Sequence, residues 1–369
     1  MKNEDVLKAL KICRSAVDSA GIYPVFSHFC FTPDRVYGYN DVCAVLTPLE
    51  SGIHCALRGT VLLGVLETMR DEVEFVQTEE TVQVKSGRSK TDLAALPPES
   101  FMFEEPEPDW QQKFSLDDAD AFFTGLQRCV QTVGDDSQMK AFTGVTLVFD
   151  KTLTLYSSDD IRLSRFDASE CCTAADKKVK GRWLVPGRAC LLLLEAWQAA
   201  KATGDAEVVS ELYLSEEWLL LNASNVLVYS KLLPDTPPDF PATLRKIVPK
   251  DAAWQPLPLE LRDTLKRAEV LVGKDPLAGM LLSVNKKMVR AKLSETKGVR
   301  FGDLDDSIAL RDAQESIALT VGIVKLSSSL NDAKEISFNA DCIGLRTDAY
   351  TCWVAPLSDD VGEGEGSEE

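Results

Sequence analysis

Metal ligands, nucleophiles and paired carboxylates carry most protein chemistry, and this 369-residue chain has few residues of those kinds at useful spacing. His28 and His54 are its two histidines. Each sits in a strand-like run without a second histidine at metal-ligand spacing, so both read as partly buried strand residues. Four aspartate pairs, Asp117/Asp118, Asp135/Asp136, Asp159/Asp160 and Asp305/Asp306, have the chemistry for a divalent cation or for general acid–base work. All fall at helix starts or turns, where aspartate is common because its carboxylate bonds the local backbone. The ten cysteines include no CxxC pair; Cys171 and Cys172 are adjacent and the rest are scattered, which reads as reduced, mostly buried thiols. The sequence contains no phosphate-binding loop, no glycine-rich dinucleotide turn and no GxSxG nucleophile elbow. No catalytic residue, metal or cofactor is therefore expected, and a binding or scaffold protein is favoured over an enzyme. An enzyme with an unfamiliar site would instead show a deep polar pocket with convergent titratable groups.

Behind these residues lies a pattern of elements that comes round three times. A helix-like apolar segment leads into a strand, a turn and a closing strand, beginning near Thr60, Ala189 and Val321. Taking Leu62, Leu191 and Ile323 as matching helix positions gives offsets of 191 − 62 = 129 and 323 − 191 = 132. Residue identity between copies is nearly absent while the order of elements persists. That implies three similarly built domains in a row, a plan suited to closing a ring. Hydrophobic residues at 45% and charged residues at 27% fit an ordinary soluble globular protein. No apolar run approaches the ~20 residues of a membrane span, and the N-terminus lacks the apolar core of a secretion signal, so a cytoplasmic protein is expected. The net charge of −18 is the wrong sign for a protein that simply sticks to DNA. It leaves room for one that encloses DNA and needs only a positive inner surface.

The first helix is expected over 5–17, with Val6, Leu10, Cys13 and Val17 on one apolar stripe and Lys8, Lys11, Arg14 and Ser15 off it. On its own, that basic flank reads as a solvated face. Strand-like runs follow at 24–31, 35–40 and 53–58, then the helix from Thr60 and strands near 73–76 and 81–84. Ser115 is expected to cap the next helix, whose apolar face runs from Leu116 to Val130. Strands at 144–150 and 152–157 follow, then a loop or hairpin leading to a helix start at Pro186. The proline-dense run 234–249 is expected to be extended. The third segment opens with a helix over Leu259–Val272, its stripe formed by Leu261, Leu265, Ala268 and Val272, before strands at 279–294 and 306–311. Domain boundaries fall at 1–112, 113–250 and 251–358, with a disordered acidic tail over 359–369. The fold class is α+β, with two helices per unit against antiparallel sheet.

Five collinear pieces resemble one family. They are VQVKSGRSKTDLAALPPESF (82–101), TLYSSDDIRLSRFD (154–167), RWLVPGRACLLLLEAW (182–197), VLVYSKLLPDTPPDFPATLRKIVPKD (226–251) and the terminal YTCWVAPL (350–357). In order, they resemble segments of the bacterial sliding clamps, the β subunit of the replicative DNA polymerase. The resemblance is diffuse but spans nearly the whole chain. It implies a DNA clamp fold of three repeated domains and a head-to-tail homodimer whose twelve helices line a central hole for duplex DNA. It also implies a processivity factor that does no bond chemistry and tethers a polymerase, raising its effective concentration. A clamp-like decoy that captures the same peptides without encircling DNA is the rival reading.

The resemblance also assigns residues. In the family the helices face DNA, which makes Lys8, Lys11 and Arg14 candidates, together with Arg70, Arg128, Lys201, Lys266 and Lys325; Lys140 joins them from the helix–strand turn. The family's peptide cleft receives motifs of the type glutamine-leucine-x-leucine-phenylalanine from polymerases and the clamp loader. Its wall maps to Phe142, Ser158, Asp160, Ile161, Arg162 and Leu163. Pro238, Lys246 and Ile247 map to one side, and Val354, Ala355, Pro356 and Leu357 to the C-terminal strand. Asp160-Ile161 stands where the family has glycine-histidine, and Ala355 where it has methionine, so a different motif is expected here. Subunit closure maps to Val270 and Leu271, with Phe101 near the opposite edge.

Overall fold

The computed structural model describes residues 1–18, 23–134, 139–202, 210–249, 252–273, 275–294, 301–330 and 332–357. The expected acidic tail and the Asp135/Asp136 pair lie outside them. Seven α-helices occur among the described residues: α1 Asn3–Cys13, α2 Gly59–Glu67, α3 Ala119–Val130, α4 Gly187–Ala202, α5 Phe240–Ile247, α6 Leu259–Val272 and α7 Ile323–Ser329. They are joined by antiparallel strands, so the architecture is α+β. Three pairs recur along the chain: α1 packs on α2, α3 on α4 and α6 on α7.

Local chemistry explains where these helices begin. α1 has Glu4 and Asp5 in its first turn and Lys11 in its last, matching its dipole, and it buries Val6, Leu10 and Cys13. It runs into a 3₁₀ turn, Arg14–Ala16, rather than continuing to residue 17. The α3 helix starts later than expected. Asp118, not Ser115, is its cap and accepts the Ala121 N–H at 2.9 Å. Ser115 ends strand Gln112–Ser115, which pairs with Ser210–Leu214; this long-range pairing overrides the local capping signal. The proline-dense run is not extended throughout, because α5 forms within it. Asp239 caps α5 through the Ala242 N–H at 3.1 Å, and Pro241 sits in the first turn, where a missing N–H costs nothing.

The repeat register also needs correction. The second helices of the three pairs begin at Gly59, Gly187 and Ile323. Counting from those starts, the matching core positions are Leu62, Cys190 and Leu326, each fully buried, whereas Leu191 is half exposed. The offsets become 190 − 62 = 128 and 326 − 190 = 136. A run of four leucines, 191–194, carries no periodicity from which a face can be read. The hairpin after each of these helices closes identically. Thr78 N–H donates to Thr81 O at 2.8 Å, Ser215 N–H to Trp218 O at 2.9 Å and Asn339 N–H to Cys342 O at 3.0 Å.

The chain forms two compact units. One comprises Met1–Gln131, Thr143–Thr154 and Ala168–Pro237; the other comprises Thr132–Phe142, Leu155–Asp167 and the chain from Pro238 onward. In the first unit, Cys43–Pro48 pairs with Val226–Lys231, which merges the strands on either side into one twelve-stranded sheet. An aromatic cluster of Phe26, Tyr37, Tyr39, Phe103 and Tyr229 packs on that sheet. In the second unit, Arg162–Asp167 pairs with Tyr350–Val354, followed in order by Ile343–Arg346, Glu335–Phe338 and Gln255–Pro256. A long ribbon, Gly279–Leu293 against Asp305–Gly322, joins α6 to α7; its second strand extends well beyond the expected 306–311.

Candidate functional site

The second unit carries a cleft of about 290 Å³. One wall is the hairpin that turns at Asp160, whose φ of +70° lies in the left-handed region. Aspartate tolerates that region better than most side chains, which explains how it occupies a position where the resembling family has glycine. Ser158, Asp160, Ile161, Arg162 and Leu163 of this hairpin line the cleft. The second wall is α5 with the residue preceding its cap: Pro238, Phe240, Thr243 and Ile247, the last three recurring at helical spacing. Phe240 is buried and stacks on Tyr156 with ring centroids 5.6 Å apart, and the Phe142 ring lies 6.4 Å from it. The third wall is Trp353 and Ala355 with Asp341 and Cys342.

Nine of the residues assigned by resemblance therefore meet in one cleft: Phe142, Ser158, Asp160, Ile161, Arg162 and Leu163 with Pro238, Ile247 and Ala355. Lys246, Val354, Pro356 and Leu357 are not among its lining residues. Strand parity explains Val354. Alternate side chains share a face, so Trp353 and Ala355 turn to the cleft and the fully buried Val354 turns away. Trp353 was missed by the sequence reading, although that alternation was its available signal. Its indole N–H is buried and has no hydrogen-bond partner among the described residues.

A buried polar network sets the hairpin wall. The Asp159 carboxylate accepts the Arg162 backbone N–H at 2.7 Å and Arg162 Nε at 3.0 Å, and pairs with Arg162 Nη2 at 2.8 Å. Lys325 Nζ reaches Asp159 from α7 at 2.6 Å, and Arg162 Nη1 donates to Ser328 Oγ at 2.9 Å. Burial opposes ionisation of Asp159. The Lys325 hydrogen bond and the Arg162 charge outweigh it and hold the carboxyl below its usual range. The network ties the hairpin to α7 and fixes the Arg162 rotamer.

The assigned basic residues divide between the units. In the first, Lys8, Lys11 and Arg14 are exposed along one side of α1 and its 3₁₀ extension and form no ion pair among the described residues. Arg14 and Arg58 line a shared groove of about 460 Å³ with Ser27 and Thr60. Arg58, just before α2, was not singled out from sequence. Arg70 is exposed beyond α2, Arg128 is half-buried on α3, and Lys201 pairs with Asp120 at 2.6 Å. In the second unit, Lys140 and Lys266 are exposed, while the Lys325 ammonium is engaged by Asp159. Of the expected seam residues, Val270 is 79% exposed on α6 and Leu271 is half-buried. The Leu271 carbonyl accepts the N–H of Phe301, a second strongly exposed apolar residue. Phe101 is half-buried beside the Tyr37 and His54 rings in the first unit.

The remaining reactive side chains are mostly buried or engaged by neighbours. All ten cysteines are buried thiols outside any disulfide, and burial pushes the Cys43, Cys55 and Cys342 thiols up to about 11. His28 begins a strand; burial and the Arg58 charge hold it below its usual range despite its bond to the Pro24 carbonyl. His54 lies one residue before its strand. Asp117 accepts from Thr173; Asp305 and Asp306 begin a ribbon strand rather than lying in a turn, and pair with Arg290 and Arg267. Among the described residues no group of three or more potential ligands is placed to hold a metal ion, and no helix is long and apolar enough to cross a membrane.

No protein-family model and no curated protein matches the chain by sequence. Solved structures do match it. A DNA polymerase sliding clamp from Pseudomonas aeruginosa superposes with a TM-score of 0.82 at 15% identity, covering 97% of this chain and 98% of that one. The DNA polymerase sliding clamp from Bacillus subtilis gives a TM-score of 0.81 at 15% identity with the same coverage. The Helicobacter pylori beta clamp bound to a DNA ligase peptide gives 0.77 at 14% identity, covering 97% and 99%. With nearly full coverage in both directions and three recurring helix pairs, the fold of this chain is that of the bacterial DNA polymerase sliding clamps.

Proposed function

We propose that the chain is a sliding clamp. Two copies close head to tail into a ring of six repeats, residues 1–112, 113–250 and 251–358 of each. Duplex DNA passes through the hole, and the cleft of the second unit seats short segments of a replicative polymerase, its clamp loader and other replication enzymes. The joining of the repeats carries this reading. Strand Cys43–Pro48 of the first repeat pairs with Val226–Lys231, the last strand of the second. Arg162–Asp167 of the second pairs with Tyr350–Val354, the last strand of the third. A third use of the same rule would join the ribbon of the third repeat to the last strand of a first repeat, Ser89–Leu96. On the side away from Thr81–Ser86, only Ala95 and Leu96 of that strand are paired, so 89–94 offer an open edge among the described residues. Such a head-to-tail contact closes a ring when the rotation permits.

Val270, Leu271 and Phe301 supply apolar surface for the third-repeat side of the seam, and Phe101 for the first-repeat side. Lys8, Lys11, Arg14 and Arg58 supply phosphate contacts, supplemented by Arg70, Arg128, Lys140, Lys201, Lys266 and Lys325. Contacts of this kind are indifferent to sequence and permit sliding. The protein makes and breaks no bonds; it acts by keeping its partners near DNA in the cytoplasm. Light scattering tests the assembly. The expected mass is twice the 40.6 kDa of one chain, falling to one chain when Val270→Asp and Phe301→Asp are combined. A monomeric wild-type protein would rule out the two-subunit ring.

A further inference from the structure

We propose that the cleft of the second unit selects peptide segments carrying lysine or arginine beside their apolar anchors; this specificity rests on reading the cleft as a clamp peptide site. Its apolar surface, from Phe240, Leu163, Trp353, Phe142 and Ile247, suits leucine and phenylalanine anchors. Three charged side chains line it: Asp160, Asp341 and Arg162. Arg162 offers no free charge to a ligand, because its side chain is 7% exposed and its guanidinium is bonded to Asp159 and Ser328. Asp160 and Asp341 are exposed, and neither forms an ion pair among the described residues. Arg245 and Lys246, on α5, do not line the cleft. Asp160 and Asp341 are therefore the exposed charged groups that line the apolar groove and that a bound segment meets directly.

The sequence reinforces that sign. The fourteen residues after Ala355 contain six acids, Asp359, Asp360, Glu363, Glu365, Glu368 and Glu369, and no lysine or arginine. Trp353 contributes its largely buried ring to the apolar surface of the groove. A ligand that is acidic near its anchors meets repulsion here; a basic one meets complementary charge.

Fluorescence anisotropy with two short labelled peptides tests this. Both carry the same leucine-x-leucine-phenylalanine anchor, one flanked by two lysines and the other by two glutamates. The lysine peptide is expected to bind about threefold to tenfold more tightly at low salt, a gap that narrows as salt screens exposed charges. Combining Asp160→Asn with Asp341→Asn closes most of the gap while retaining the anchors; asparagine is well suited to the left-handed backbone at 160. Equal affinities in the wild type, or tighter binding of the glutamate peptide, would overturn the basic specificity and leave the cleft reading intact. Failure of both peptides to bind would instead remove the cleft as a peptide site.

Discussion

Asp159 shows how much one side chain can organise. Its carboxylate closes the hairpin turn, neutralises the buried Arg162 and draws Lys325 in from α7. Removing one partner of a buried pair strands the other, at a cost of about 3–5 kcal/mol. Asp159→Ala is therefore expected to lower stability by that amount in urea denaturation, and a loss below about 1 kcal/mol would contradict the role. The sign of the pH dependence follows from the lowered folded-state pKa. The stabilisation is complete above the ordinary aspartate value of about 3.9 and disappears as pH falls through the lower folded value. The stability gap between wild type and Asp159→Asn should therefore shrink in that acid range. At this scale the sequence was informative about residue types but less so about direction. Ser158 to Leu163 could be assigned because a turn with adjacent strands keeps its residues together. Trp353 was missed because strand parity was not applied to the last wall. The engagement of Lys325 depends on a residue 166 positions away, which no local pattern records.

Helices were legible where one stripe dominates and obscure where local signals compete. α6 was read to its observed limits because Leu261, Leu265, Ala268 and Val272 define one face and four are buried. α5 was hidden by Pro237, Pro238 and Pro241, although Asp239 followed two residues later by proline is a helix-start signal. At eight residues α5 is too short to be stable by itself and depends on its cap and on Phe240 packing. Asp239→Ala is expected to cost about 1 kcal/mol and to weaken peptide binding, because Phe240, Thr243 and Ile247 form one cleft wall. Thermal melting and peptide titration of the same variant check both effects; unchanged peptide affinity would detach α5 from the binding site. The Ser115 expectation failed for the opposite reason. A good capping residue was recruited into a strand by a partner almost a hundred positions away.

On the scale of the molecule, repetition survived where residue identity did not. Three helix pairs and three hairpins closed by the same backbone bond follow from an order of elements visible in the sequence, even though the register was misread by one position within α4 and by three within α7. The strand pairing between repeats was not visible, because it depends on which edges meet after folding. A chain of net charge −18 can hold DNA only by concentrating cations on the surface that faces it, as Lys8, Lys11, Arg14 and Arg58 would do in the assembled ring. The most direct measurement is retention on nicked circular duplex DNA, before and after cutting the circle, at a salt concentration that removes ordinary electrostatic binding. The ring predicts protein that stays on the circle and is lost when the DNA is linearised, with Lys8→Glu, Lys11→Glu and Arg14→Glu together weakening loading. Equal retention on circles and linear fragments, or none on either, would contradict it.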